Sequence, residues 1–377
     1  MSRMVLTGAQ VVTPEGPLEG AVSIAGGRID SVGAAGEGEI LDLGGGWLLP
    51  GFIDTQVNGG GGVLLNDQPD VDGIAAIAAA HRSFGTTGLM PTLISDAPGI
   101  IARAIAATDE AIAAGVPGVL GIHIEGPFIN TERRGIHGAR FMRELDADAL
   151  ALLARPGRGA RMVTLAPECV APGTVAALRR AGVVVAAGHS MADYDTVRRA
   201  LDEGLDGFTH LFNAMTQLGS RAPGMVGAAL EDRQSRFGLI VDGHHVHPAT
   251  LRIALAARGL DGAMLVTDAM PPAGTDMTHF QLQGRRITVE DGALRGEDGT
   301  LAGSALTMDA ALRNAMAMLR LEVPDAARLA STNPAAFLRQ SQERGAIRAG
   351  LLADLVHMDA DFRVRRTWIG GKMFEAN

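Results

Sequence analysis

The chain has 377 residues, too many for one small core and enough for one large domain with a minor one. Hydrophobic residues make up 47% and aromatics only 4%, so Ala, Val, Leu, Ile and Gly must fill the core; the 50 glycines and 17 prolines are scattered among apolar runs, which excludes a low-complexity chain. A net charge of −9 without a Lys/Arg-rich stretch argues against nucleic acid as a partner, and Cys169, the single cysteine, excludes an intrachain disulfide.

No signal-type apolar segment follows Met1-Ser2-Arg3-Met4, and no run of about 18 apolar residues could span a bilayer, so a cytoplasmic location without membrane contact is expected. Residues 1–49 carry short β pieces at Met4–Leu6, Val11–Thr13, Ala21–Ile24, Arg28–Val32 and Ile40–Leu43, separated by turns such as Gly26-Gly27 and Gly44-Gly45-Gly46. They predict a small β-sandwich. From Trp47 onward, apolar runs alternate with amphipathic stretches. The predicted strands are Phe52–Gln56, Gly88–Thr92, Val119–Ile124, Met162–Ala166, Val183–Ala187, Gly207–Thr209, Phe237–Val241 and Ala263–Thr267. Between them lie helical patterns at Asp70–Phe84, Ala97–Ala114, Pro172–Ala181, Asp193–Glu203 and Pro248–Arg258. This rhythm predicts an α/β fold: a (β/α)8 TIM-type barrel over residues 50–344, with functional residues at the carboxyl ends of its strands. A doubly wound open sheet is the alternative. Residues 280–303 interrupt the rhythm with β pieces and read as an inserted hairpin, followed by a helix at Ala305–Leu319. Residues 345–377 turn β-like again, at Asp354-Leu355-Val356 and Val364–Ile369, and are expected to rejoin residues 1–49 in one small discontinuous β-sandwich domain.

Polar groups stand where barrel chemistry is expected. Glu125, His189, His210 and Asp268 each follow a different predicted strand and would converge on one rim. Taken singly, each has an ordinary reading: a structural imidazole, a capping acid, an N-cap. Four such coincidences on four strand ends favour a site. Two imidazoles and a carboxylate suit Zn²⁺ or a similar divalent ion and leave one coordination position open. Asp268 would then be free to move a proton. His137 lies in a glycine-bounded loop after the third strand. His244, His245 and His247 crowd the loop after the seventh, as a second metal site, a substrate grip or a polar loop; a grip is favoured for His245. Arg221, after the sixth strand, is either a surface cation or a clamp for phosphate. His81 and His279 read as ordinary.

The segments Pro50-Gly51-Phe52-Ile53-Asp54, His123-Ile124-Glu125-Gly126-Pro127-Phe128, Gly188-His189-Ser190, Thr209-His210-Leu211-Phe212-Asn213-Ala214-Met215 and Val266-Thr267-Asp268-Ala269 resemble the amidohydrolase superfamily. Within it they are similar to the family of N-acetylglucosamine-6-phosphate deacetylases, in order from about Val5 to the end of the chain. That resemblance implies metal ligands Glu125, His189 and His210, and Asp268 as general base and then acid. It implies that His137 hydrogen-bonds the acetamide carbonyl, that Asn213, Ala214, Arg221 and His245 hold the sugar phosphate, and that Ile136, Leu301, Ala302 and Gly303 line the sugar. It further implies a homodimer, with a basic phosphate contact possible from the neighbouring subunit. Many superfamily members carry His-x-His at the first strand, where this chain has Gln56-Val57-Asn58. Amides are weak zinc ligands, so one divalent ion is expected, zinc foremost, with Fe²⁺, Mn²⁺ or Co²⁺ as alternatives. The rival readings are the galactosamine epimer as substrate, another amidohydrolase such as a dihydropyrimidinase, and a catalytically silent metal-binding scaffold.

Overall fold

In the computed structural model, which describes residues 3–34 and 36–376, eight parallel strands stand side by side in the order in which they occur in the chain. We number them β1 (Phe52–Val57), β2 (Thr86–Ile94), β3 (Gly121–Glu125), β4 (Ala160–Leu165), β5 (Val184–Ala187), β6 (Gly207–Phe208), β7 (Arg236–Leu239) and β8 (Ala263–Leu265). All six residues of β1 and all nine of β2 are buried, as a parallel sheet covered on both faces requires. The first and last strands meet just past β8. Val57 bridges Ala269 in parallel, the Asp268 amide donates to the Gln56 carbonyl at 3.0 Å, and the Asn58 amide donates to the Ala269 carbonyl at 2.8 Å. Those bonds close the sheet into a barrel, and the open-sheet alternative falls away.

Local chemistry sets the helices around it. Asp70, Asp146 and Asp193 cap Val71–Arg82, Ala147–Ala154 and Tyr194–Asp202, accepting from Gly73, Ala149 and Thr196 amides. Proline opens Pro98–Ala113 and Pro248–Arg258 at the position where a missing amide proton costs nothing. The helices Ala147–Ala154 and Gly224–Glu231 were not foreseen; each is a single two-turn segment, too short for a clear 3.6-residue period. No helix among the described residues is long and apolar enough to cross a membrane.

Strands from both ends of the chain share a six-stranded sheet, in which Leu355–Met358 runs antiparallel to Trp47–Pro50. A four-stranded sheet built on Met4–Thr7 faces it, and Leu6, Val22 and Ile29 of one sheet pack with Leu48, Leu355 and Trp368 of the other. The expected hairpin after β8 is a four-stranded antiparallel sheet: His279–Leu282, Arg285–Glu290, Ala293–Gly296 and Leu301–Ser304. Phe280, Leu282, Ile287 and Leu294 pack it onto Leu64, Ile94, Ile136 and Met270, so the insertion rests against the carboxyl rim of the barrel.

Candidate active site

The carboxyl ends of the strands bring the four polar side chains together. Glu125 is the last residue of β3, while His189, His210 and Asp268 lie just past β5, β6 and β8. All three of the latter have positive φ, at 50°, 31° and 52°. A left-handed backbone costs a non-glycine residue about 1–2 kcal/mol, and such strain concentrates where geometry serves function.

The Nε2 atoms of His189 and His210 are 3.0 Å apart, and each lies 3.2 Å from Glu125 Oε1. The three side chains are buried. The His189 Nδ1–H donates to the Arg133 carbonyl at 2.8 Å, which leaves its Nε2 lone pair facing the cluster. Two imidazole nitrogens and a carboxylate oxygen crowded this closely fit one cation: a tetrahedral ion with bonds of about 2.0–2.1 Å holds its ligands about 3.3 Å apart. Among the described residues this is the one His, Cys, Asp and Glu group with such spacing. Burial opposes ionisation of Glu125, yet its close pairing with the His189 and His210 rings holds its carboxyl well below the usual range. For His210 burial disfavours the charged ring, but the bond to Glu125 outweighs it and raises the pKa.

Asp268 faces the same cluster. It accepts from Gln56 Nε2 at 3.1 Å and from Asn58 Nδ2 at 2.6 Å, and Gln56 Nε2 also donates to Glu125 at 3.1 Å. The two amides of the first strand therefore turn their NH₂ groups onto carboxylates. Burial, with the neighbouring Glu125 charge, pushes the Asp268 carboxyl up to about 6. The His137 ring packs against His189 at a tilt of 56°, with ring centroids 4.6 Å apart. Burial lowers its pKa to about 3, so the ring is neutral at ordinary pH.

These residues line a cavity of about 330 Å³. Ile136, Asn213, Ala214, His245, Leu301 and Gly303 form the rest of its expected wall, and all six do face it. His245 Nδ1 pairs with Asp242 at 2.6 Å. Two expected contacts do not reach the cavity: Ala302 is fully buried behind the wall, and Arg221 stands exposed on the loop between β6 and β7. His247 accepts from the Ala249 amide as a helix cap, and His81 bonds the Gly59 carbonyl at 2.9 Å. Sequence reasoning missed Ile94, Glu132, Arg133, Gly135, Met270 and Thr300 in the wall. Ile94 ends β2, so the carboxyl-end rule was sufficient to find it. The others sit on loops or, for Glu132 and Arg133, in the single 3-10 turn Thr131–Arg133, and carried no period.

The sequence pattern of the amidohydrolase family matches residues 47–374. The chain is 43% identical over 328 residues to N-acetylgalactosamine-6-phosphate deacetylase of Shewanella sp. (strain ANA-3), covering 87% of this chain and 83% of that one. It is 38% identical over 351 residues to N-acetylglucosamine-6-phosphate deacetylase of Bos taurus, covering 89% of this chain and 85% of the other. Among solved structures, a mutant N-acetyl-D-glucosamine-6-phosphate deacetylase from Mycobacterium smegmatis, in complex with N-acetyl-D-glucosamine-6-phosphate, superposes with a TM-score of 0.90. It is 35% identical and covers 99% of each chain.

Proposed function

Because this chain belongs to the amidohydrolase family, we propose that it hydrolyses the N-acetyl group of N-acetyl-D-glucosamine 6-phosphate, giving D-glucosamine 6-phosphate and acetate. The observation that carries this reading is the buried Glu125, His189 and His210 group with Asp268 and a neutral His137 beside it, in one cavity.

Glu125, His189 and His210 would hold one divalent ion, with zinc best matched to two imidazoles and a carboxylate; Fe²⁺, Mn²⁺ and Co²⁺ accept the same donors. When bound, such an ion polarises the amide carbonyl and lowers the pKa of a water to about 7. Asp268 takes the proton of the attacking water on its carboxylate and hands it to the departing nitrogen. Its place on the cavity wall beside Glu125, held by Gln56 and Asn58, suits both halves of that relay. His137 donates its Nε2–H to the carbonyl oxygen as negative charge develops there. Asn213, Ala214 and His245 hold the sugar phosphate, with Ile136, Leu301 and Gly303 against the ring and Ala302 packed behind them. Arg221, exposed on its loop outside the cavity wall, supplies a cation for a phosphate that extends beyond that wall. A homodimer, with a further basic contact from the second subunit, completes the phosphate site.

The galactosamine epimer is the second reading, favoured by the 43% identity to the Shewanella deacetylase. The test is acetate release from both N-acetylated 6-phosphates, with and without chelator. Metal-dependent release from the gluco compound is expected. Release from the galacto compound alone would move the assignment to the epimer, and release from neither by metal-loaded enzyme would remove it.

A further inference from the structure

His137 is useful only if its proton is on the ring nitrogen that faces the cavity, and neutral imidazole can carry it on either one. The Ser95 backbone N–H donates to His137 Nδ1 at 3.3 Å, and the Ser95 hydroxyl lies 2.7 Å from the same atom. A backbone amide can only donate, so Nδ1 must present its lone pair and the proton must reside on Nε2. The hydroxyl then donates to Nδ1 as well. Ser95 follows β2 directly and is buried, as is His137.

Ser95 is itself fixed by a residue from the inserted sheet. Gln283, in the turn between His279–Leu282 and Arg285–Glu290, donates from Nε2 to the Ser95 carbonyl at 2.7 Å. Its Oε1 accepts from the Gly138 amide at 3.1 Å. One side-chain amide thus grips the residue that bonds His137 and the residue that follows His137. The grip is close: a Cβ built on Gly138 would lie 2.6 Å from Gln283 Oε1. Gln283 reaches this position with a left-handed backbone, φ 51°. A turn placed only to reverse two strands would more cheaply use glycine or asparagine at that angle.

We propose that Ser95 and Gln283 are positioning residues that fix His137 as its Nε2–H form, aimed at the substrate carbonyl, and that the inserted sheet serves the chemistry through Gln283. The catalytic part rests on the deacetylase reading; the tautomer does not. The test combines long-range ¹H–¹⁵N spectra of zinc-loaded, ¹⁵N-histidine-labelled enzyme with acetate-release kinetics. His137 is assigned by the signal lost in His137→Gln. In the unsubstituted enzyme His137 should give the Nε2–H pattern. Ser95→Ala and Gln283→Leu should each mix the two tautomers and lower kcat about fivefold to tenfold, with KM within twofold, as expected when an oxyanion donor is misaligned rather than removed. Ser95→Thr, which keeps the hydroxyl, should restore both readouts. An Nδ1–H pattern in the unsubstituted enzyme overturns the proposal. So do unchanged spectra and kcat in both variants. If Ser95→Ala does not fold, half-exposed Gln283 still provides the test. An enzyme that releases no acetate yet shows His137 as Nε2–H would defeat the deacetylase reading alone and support the positioning.

Discussion

Asp268 and Arg221 differ most in what surrounds them, and their substitutions should fail in different ways. Asp268 is half-buried, bonded by Gln56 and Asn58, and is not one of the three side chains that could hold an ion. Asp268→Asn keeps the shape, so metal content should stay near one equivalent by elemental analysis while kcat falls on the order of 10² or more, because the relay is gone. Near-normal turnover would strip Asp268 of its role. Arg221 is exposed, and nothing in the barrel depends on it. Arg221→Ala should leave thermal stability unchanged and raise KM for the phosphorylated sugar roughly 10- to 100-fold, the equivalent of about 1.5–3 kcal/mol for a charge-assisted bond. The unphosphorylated sugar is the control. If its KM rises by the same factor, Arg221 does not read phosphate.

The element that ties the inserted sheet to the barrel is its last strand, Leu301–Ser304. The Ser304 amide donates to the Asp268 carbonyl at 2.9 Å, and the Met270 amide donates to the Ser304 carbonyl at 2.9 Å. Gly303 sits in this strand with φ 64°, and a Cβ there would lie 2.7 Å from the Asp268 carbonyl oxygen. Gly303→Ala should therefore cost at least about 1–2 kcal/mol from the backbone alone. Because the displaced neighbour is Asp268, it should also lower kcat about tenfold or more. A melting temperature and an acetate assay check the two halves, and a variant that melts lower but turns over normally would show that the strand braces the fold without aligning Asp268. The barrel strands were legible in the sequence because short apolar-rich runs recur between amphipathic stretches, and Glu125, His189, His210 and Asp268 were legible because each stands at or just past the end of such a run. Ser95 and Gln283 were not, since a serine after a strand and a glutamine in a turn look like any solvated loop until three-dimensional closure sets them beside His137. The six-stranded sheet was only half legible: Trp47–Pro50 reads as the entry to the barrel, and its pairing with Leu355–Met358 is a contact across most of the chain.

At the scale of the molecule, the barrel is closed where β1 meets the end of β8, and Asp54 sits in that seam. Its carboxyl accepts from the Thr267 hydroxyl at 2.5 Å and from the Gln56 and Thr267 amides at 3.1 and 3.3 Å. Those bonds favour the charged form, but complete burial outweighs them and pushes the pKa up from 3.8 to about 7. The folded chain thus binds this proton more tightly than the unfolded chain does. Between pH 4 and 7 the folded state carries more protons at this site, so the contribution of Asp54 to stability is complete at the acid end and is lost as pH rises through about 7. The span corresponds to a contribution of about 4 kcal/mol. Other groups titrate over the same range, so the measurable quantity is a difference: denaturant midpoints of the unsubstituted chain and Asp54→Asn, each followed from pH 4 to 8. The asparagine form should gain relative stability steadily across that window, because it has no proton to lose from the seam. A difference that stays flat with pH would mean that the three hydrogen bonds keep Asp54 ionised throughout, and that the barrel closes around a buried charge.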